Sequence, residues 1–245
     1  MISDEVEQPS ARLESGVMRS FAPEYRFTNA HYLFVRVVVQ AESVKPIFDV
    51  FHITQPTQDY LANLRRDQAP LSVTYSEVGG TLSPELPTGW HHLKAVREVV
   101  VLSEFDGLAL GKEAIQDWAA QKELRLVLEP ARPPMVEGSV LAFALPMKPL
   151  GFWATGACRI VKVVDEPDRF GFVYGTLPHH PERGEEAFLV HRSPLTPNLL
   201  TFTITAFSRG AKLPMKVSGP IGRIIQRRAA EIYLTGYEKF VQSKF

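Results

Sequence analysis

The chain has 245 residues, 45% of them hydrophobic and 22% charged, with 27 basic side chains set against 27 acidic ones. Such a makeup excludes a disordered or fibrous protein, and the neutral overall charge excludes a dedicated nucleic-acid binder that draws its affinity from excess positive charge. A compact chain of this length buries about 70% of the surface its unfolded form exposes, so its core needs neither disulfides nor a structural metal.

Cys158 is the single cysteine. It cannot form an internal disulfide, and no Cys/His spacing suits zinc, so a reducing, cytoplasmic home is expected and no metal. The amino terminus carries Asp4, Glu5 and Glu7 where a secretory signal needs positive charge. Residues 1–20 therefore read as a polar tail. The most apolar stretch, Val140 to Ile160, is interrupted by Lys148, Arg159 and several Pro and Gly residues, too often for a membrane span.

Taken in chain order, the first element is YLFVRVVVQ, residues 32–40, a β-branched and aromatic run expected as an edge or appended strand. Pro56 and Thr57 then punctuate the chain before QDYLANLRRDQ, a short helix capped by Thr57 with Leu61 and Leu64 on one side. Strands are expected at Leu71 to Tyr75 and Leu93 to Leu102, separated by the loop GGTLSPELPTG. In GLALGKEAIQDWAAQK the residues Leu110, Ala114, Ile115, Trp118 and Ala119 recur at helical spacing, which predicts one amphipathic helix.

Five strands in a row follow, at 124–128, 138–145, 157–164, 169–175 and 186–191, and consecutive strands without helices imply antiparallel pairing. The sixth, LLTFTITAF, alternates Leu200, Phe202, Ile204 and Ala206 with Thr201, Thr203 and Thr205, so one face is buried and the other wet. Ser218, Gly219 and Pro220 open a final helix whose expected apolar stripe is Ile221, Ile224, Ile225, Ala229, Ile232 and Tyr233. The predicted class is α+β: a curved antiparallel sheet wrapped around a long C-terminal helix, with residues 1–45 as an N-terminal extension and 46–245 as the domain. Since a curved sheet cannot pack flat along a whole cylinder, a pocket is expected between them.

The segment FGFVYGTLPHHPERGEEAFLV, residues 170–190, resembles the signature of the domain-of-unknown-function family numbered nineteen-ninety, found in bacteria and plants. Further similarity lies in FHITQPTQDYLANL, TYSEVGGT, PTGW, CRIVKVVDE and AFSR, so the likeness covers roughly residues 50–241. This chain departs from the family pattern at His179, where Gly is usual, and at SEFDG before the second helix. The resemblance implies a helix-grip fold of the START and Bet v 1 kind, whose relatives often hold apolar ligands in a central cavity, and it implies no established activity.

YGTLPHHPERGEE holds more titratable groups than any other window: His179, His180, Glu182, Arg183, Glu185 and Glu186. It is either a solvated hairpin loop or a site of acid–base chemistry. Adjacent histidines in extended chain point opposite ways, and the spacing fits no standard metal pattern. The resemblance moves weight to His180, Glu185 and Glu186; Glu185 is either a ligand contact or a satisfier of backbone donors across the turn. Tyr174 and Thr176 bracket the loop, with Tyr174 either at a cavity rim or in the core while Phe170 and Phe172 face inward. Phe202 and Ile225 complete the expected ligand wall.

Trp90, His91 and His92 read as an amphipathic strand end, and Cys158 as a buried small hydrophobe. Gly-x-Ser-x-Gly, the Walker loop and Gly-x-Gly-x-x-Gly are absent, so no cofactor is expected. Arg209, Lys212, Lys216, Arg223, Arg227 and Arg228 form a run without acids, either a solvated face or a surface for transient docking on anionic lipid. Three functions remain open: a binding module for a small apolar or amphipathic molecule, an enzyme using His180 and Glu185 as acid and base, and a scaffold pairing through residues 32–40.

Overall fold

The computed structural model describes residues 49–147, 151–211 and 219–245. The tail at 1–20 and the strand expected at 32–40 lie outside the described residues, as do Lys212, Lys216 and Ser218. The elements run β1 (Phe51–His52), α1 (Gln58–Gln68), a 3₁₀ turn (Gly80–Leu82), β2 (His91–Val100), α2 (Gly107–Gln116), α3 (Ala119–Glu123) and β3 (Val127–Glu129). They continue with β4 (Val140–Met147), β5 (Phe152–Asp165), β6 (Arg169–Thr176), β7 (Glu182–Ser193), β8 (Thr196–Gly210) and the final helix α4 (Gly219–Gln242).

Every strand pair is antiparallel, in the order β2-β8-β7-β6-β5-β4-β3, with β1 paired to the start of β5. The threonine alternation of β8 behaves as its period demands: Leu200, Phe202, Ile204 and Ala206 are buried, while Thr201, Thr203 and Thr205 are half-buried on the other face. Register carries that polarity across the sheet. Ala206 faces Glu186, which faces Tyr174, which faces Ile160, so these side chains share the concave surface. A bulge between Ile160 and Lys162 bends β5 at that point.

Two layers of helix close the faces. On the convex side α1, capped by Thr57 Oγ1 accepting from Tyr60 N–H at 3.2 Å, lays Leu61 and Leu64 over Ala142 and Ala144. On the concave side α4 is tied to edge strand β2 by Arg97, which donates to Glu231 at 3.1 Å and to Glu238. Among the described residues no helix is long and apolar enough to cross a membrane.

Four sequence expectations need correction. Leu71 to Tyr75 joins no ladder; it runs extended over the sheet, held by Thr74 N–H to the Thr176 carbonyl at 3.0 Å. The first strand of the run of five begins at Val127, since residues up to Leu124 close α3 and Arg125 turns at φ 60°. The expected single helix at 107–122 is two helices, broken where Trp118 takes a left-handed φ of 57°. Its N–H bonds the Ile115 carbonyl, and its fully buried ring caps the core against Phe172 at 4.9 Å. Tertiary packing of a large ring overrides the helical period.

The stripe of α4 is also rotated. Ile224 and Ile232 are exposed, and the buried face is Ala230, Tyr233, Leu234, Tyr237 and Val241. Gly236 explains the rotation: a Cβ there would come within 2.6 Å of the Ala119 carbonyl oxygen, so this helix meets α3 backbone to backbone through its smallest residue. One helix does not cover the sheet alone, because α2 and α3 fill one end of the concave surface beside the second half of α4.

Candidate functional site

Division of the concave face creates the site. At the α2–α3 end Phe172 stacks on Phe188 with centroids 5.3 Å apart, Phe202 stacks on Tyr237 at 4.7 Å, and the layer is solid. At the other end the first half of α4 presents Ile225 and Ala229, with Gln226 between them reaching Glu182 and Ser208 on the sheet, and a cavity of about 170 Å³ remains. Its wall is mostly apolar, with Leu93, Phe143, Leu145 and Ala206 from three strands.

Of the side chains expected to meet a ligand, Tyr174, Thr176, His180, Glu185, Glu186 and Ile225 border this cavity. Phe172 and Phe202 do not; they share its face of the sheet but are sealed in the core. Strand period selects a face, and only the covering helices determine which part of that face stays open.

Tyr174 donates its hydroxyl to Glu186 Oε2 at 2.7 Å, so it sits at the rim as well as in the core. Burial pushes the Glu186 carboxyl up to about 7, against the lowering effect of the Tyr174 bond, and neighbouring Glu182 raises it further. Glu182, also raised chiefly by burial, has both oxygens 2.9 Å from Gln226 Nε2, which reaches Ser208 Oγ at 2.8 Å as well. Burial raises the phenols of Tyr174 and Tyr233 and the Cys158 thiol, with the Glu186 charge adding to each, so all three hold their protons. Cys158 is a buried hydrophobe, not a nucleophile.

His180 Nδ1 lies 2.9 Å from the Glu182 N–H and 3.0 Å from its carbonyl; the amide only donates, which makes Nδ1 the acceptor and leaves the proton on Nε2. Burial brings the imidazole down to about 4, so it is neutral at physiological pH. His179 turns the opposite way, to Thr155 Oγ1 at 3.1 Å and Asp49 Oδ2 at 3.7 Å. The two histidines diverge as extended backbone requires.

Glu185 borders the cavity, but its carboxylate is turned to the convex face. There it accepts from Tyr75 Oη (2.8 Å), Gly79 N–H (2.7 Å), Thr81 N–H (2.9 Å) and Thr81 Oγ1 (2.6 Å). Four donors saturate its lone pairs, so it pins the 75–81 loop to the sheet and does not stand beside His180 as a catalytic partner. Thr176 is similarly engaged, accepting from Gly184 N–H at 3.0 Å with its hydroxyl 2.7 Å from that of Thr74.

The basic run is split by the sheet. Arg209 stacks over Trp90 on the convex side, 4.2 Å from the ring, while Arg223, Arg227 and Arg228 are exposed on α4. Trp90 itself donates to Glu77 and packs on Phe207, as a strand-end anchor does. Glu182, Ser208, Gln226 and Tyr233 were not among the expected ligand residues. Ser208 was within reach of the β8 alternation carried two residues further; Gln226 had no such signal, since a polar residue beside an apolar stripe reads as surface.

Glu186 gives the site a measurable pH signature. The native chain retains a proton up to about pH 7 that the unfolded chain releases near its ordinary value of 4.5. Native protein thus binds more protons between those values, and stability falls as pH rises through this window: the contribution is complete below 4.5 and lost above 7. Glu186→Gln is expected to flatten that slope and to stabilise the fold by about 2–3 kcal/mol at pH 8. Urea unfolding at pH 5 and pH 8 checks it, and equal slopes in both proteins would refute the assignment.

The sheet is antiparallel throughout its described strands and lies against the C-terminal helix, the α+β arrangement expected from the sequence. This chain belongs to the family described as domain of unknown function DUF1990, whose model matches residues 74–236. It is 31% identical over 178 residues to a UPF0548 protein of Deinococcus radiodurans, covering 69% of this chain and 85% of that one. Among solved structures, a START superfamily protein from Mycobacterium smegmatis aligns with a TM-score of 0.43 at 15% identity, over 63% of this chain and 99% of that chain. Human STARD10 aligns with a TM-score of 0.44 at 14% identity, over 79% and 84%.

Proposed function

We propose that the protein is a binding module that holds a small, largely apolar molecule with one polar end in the cavity between β4–β8 and the first half of α4. The observation that carries this reading is the cavity itself: a mostly apolar wall with two carboxyl groups, of which Glu186 has an Oε1 that accepts no hydrogen bond from any described residue. An apolar void of about 150 Å³ takes up benzene, so a cavity of about 170 Å³ fits a one-ring body. Orientation falls to Glu186 and Tyr174, and the apolar body to Leu93, Phe143, Leu145 and Ile225. In this reading residues 46–245 form the binding domain and residues 1–45 an extension to it.

Ligand-observed NMR with toluene tests the proposal. Wild-type protein is expected to take up the probe, and Ala229→Phe, which fills the void from α4, is expected to abolish uptake while the protein stays folded. Native mass spectrometry of gently purified protein is expected to show a bound small molecule. Failure of the wild type to take up toluene, together with a bare mass spectrum, would overturn the reading. The enzyme reading is weakened by geometry, because Glu185 is on the far face of the sheet from His180.

A further inference from the structure

We infer that the cavity selects amines: a one-ring apolar body carrying a protonated amino group, received by Glu186 Oε1. The inference rests on the binding reading above and goes beyond it in naming the ligand's charge.

Charge complementarity carries it. Two carboxyl groups, Glu182 and Glu186, face the cavity, and no Lys or Arg is found among its described lining residues. Glu182 is already held by Gln226 through both oxygens, and Glu186 Oε2 by Tyr174, which leaves Glu186 Oε1 as the open acceptor. An anionic ligand would meet two like charges and no counter-charge. A neutral alcohol or carbonyl gains only an ordinary hydrogen bond, whereas an ammonium forms a charge-assisted one and supplies the partner that a buried carboxylate lacks. The rings of Phe51, Phe143, Tyr174 and Tyr233 line the same space, and aromatic rings attract cations more than they do anions.

Every group packed against Glu186 is consistent with this. From β6 comes Tyr174, from β5 Cys158, from α4 Tyr233 and Tyr237, from its own strand Glu182, and from the preceding turn His180; the cationic Arg223 and Arg227 sit at the exposed outer end of α4. Tyr174, Tyr233, Tyr237 and Cys158 keep their protons and His180 is neutral, so the cavity's charge is set by its two carboxyls, Glu186 and Glu182, both held above the ordinary carboxyl range by burial, and of these Glu186 carries the open oxygen. Amine binding therefore strengthens as pH rises through the range where Glu186 ionises, and binding at its midpoint expels the carboxyl proton.

Titration calorimetry with three probes of one size, phenethylamine, 2-phenylethanol and phenylacetate, tests the inference on the full chain. At pH 8 phenethylamine is expected to bind about tenfold or more tightly than 2-phenylethanol, with phenylacetate weakest, and the preference is expected to shrink toward pH 5.5. At pH 7 the heat of amine binding is expected to depend on the buffer, reporting the released proton. Glu186→Gln is expected to remove both the preference and the proton release while still binding 2-phenylethanol. Should that variant not fold, the pH dependence and buffer dependence of the wild type decide alone. If 2-phenylethanol or phenylacetate binds as tightly as phenethylamine at pH 8, amine selectivity is overturned and the binding reading stands. If none of the three binds at millimolar concentration, both are overturned.

Discussion

Glu185→Ala is expected to lower the free energy of unfolding by about 4 kcal/mol, through loss of one carboxylate that satisfies four donors at once. Each buried donor left unpaired costs about 1–3 kcal/mol, and the full sum is not reached because the 75–81 loop can lift from the sheet and take water. Burial and the Glu185 charge push the Tyr75 phenol far above its usual range, so it remains a donor whatever the pH. Glycine makes room for it: a Cβ on Gly175 would stand 2.1 Å from the Tyr75 hydroxyl. Glu185→Gln retains one acceptor oxygen and is expected to cost about half as much. Urea unfolding measures the loss, and amide exchange at Gly79 and Thr81 is expected to speed up more than at Phe188 in β7. A change under about 1 kcal/mol would show that the loop holds without the carboxylate.

Trp118→Ala is expected to cost about 3–5 kcal/mol, the range for truncating a fully buried large ring. The ring fills the corner between α2, α3 and β6, tilted on Phe172 at 4.9 Å, and its Nε1–H donates to the Pro133 carbonyl at 3.1 Å. Alanine removes the packing and the donor together. Trp118→Phe keeps most of the apolar volume and is expected to lose only about 1–2 kcal/mol, chiefly the hydrogen bond. Thermal unfolding of the pair separates the two contributions; equal losses would mean that the Pro133 bond, not the ring, holds the corner. Since this corner makes the α2–α3 end of the sheet solid, the Trp118→Ala chain is also expected to admit small apolar probes where the wild type has none.

Much of the molecule was legible because its periods are local. The β8 threonines, the Thr57 cap with Leu61 and Leu64, and five strands in succession each follow from side-chain geometry within one element. Misreadings fall where a distant element intervenes. Residues 71–75 have strand composition but lie over β6, whose two edges are already paired with β5 and β7, so only the Thr74 N–H finds a strand carbonyl there, that of Thr176. Ile224 and Ile232 look like core and are exposed, since Gly236 against α3 sets the rotation of α4.

For the site, the 170–190 segment announced its titratable groups but not their directions. Consecutive residues of one strand point to opposite faces, so Glu185 and Glu186 were bound to differ, yet which of them meets the cavity depends on the register with β8, where Ala206 lies opposite Glu186. Composition and period by themselves determined the class of fold, the antiparallel sheet and the amphipathic last helix, because these need only local spacing and a buried face. Where the empty space lies, which carboxyl enters it and which is locked behind the sheet were decided by tertiary structure alone, since they depend on how α2, α3 and α4 share one concave surface.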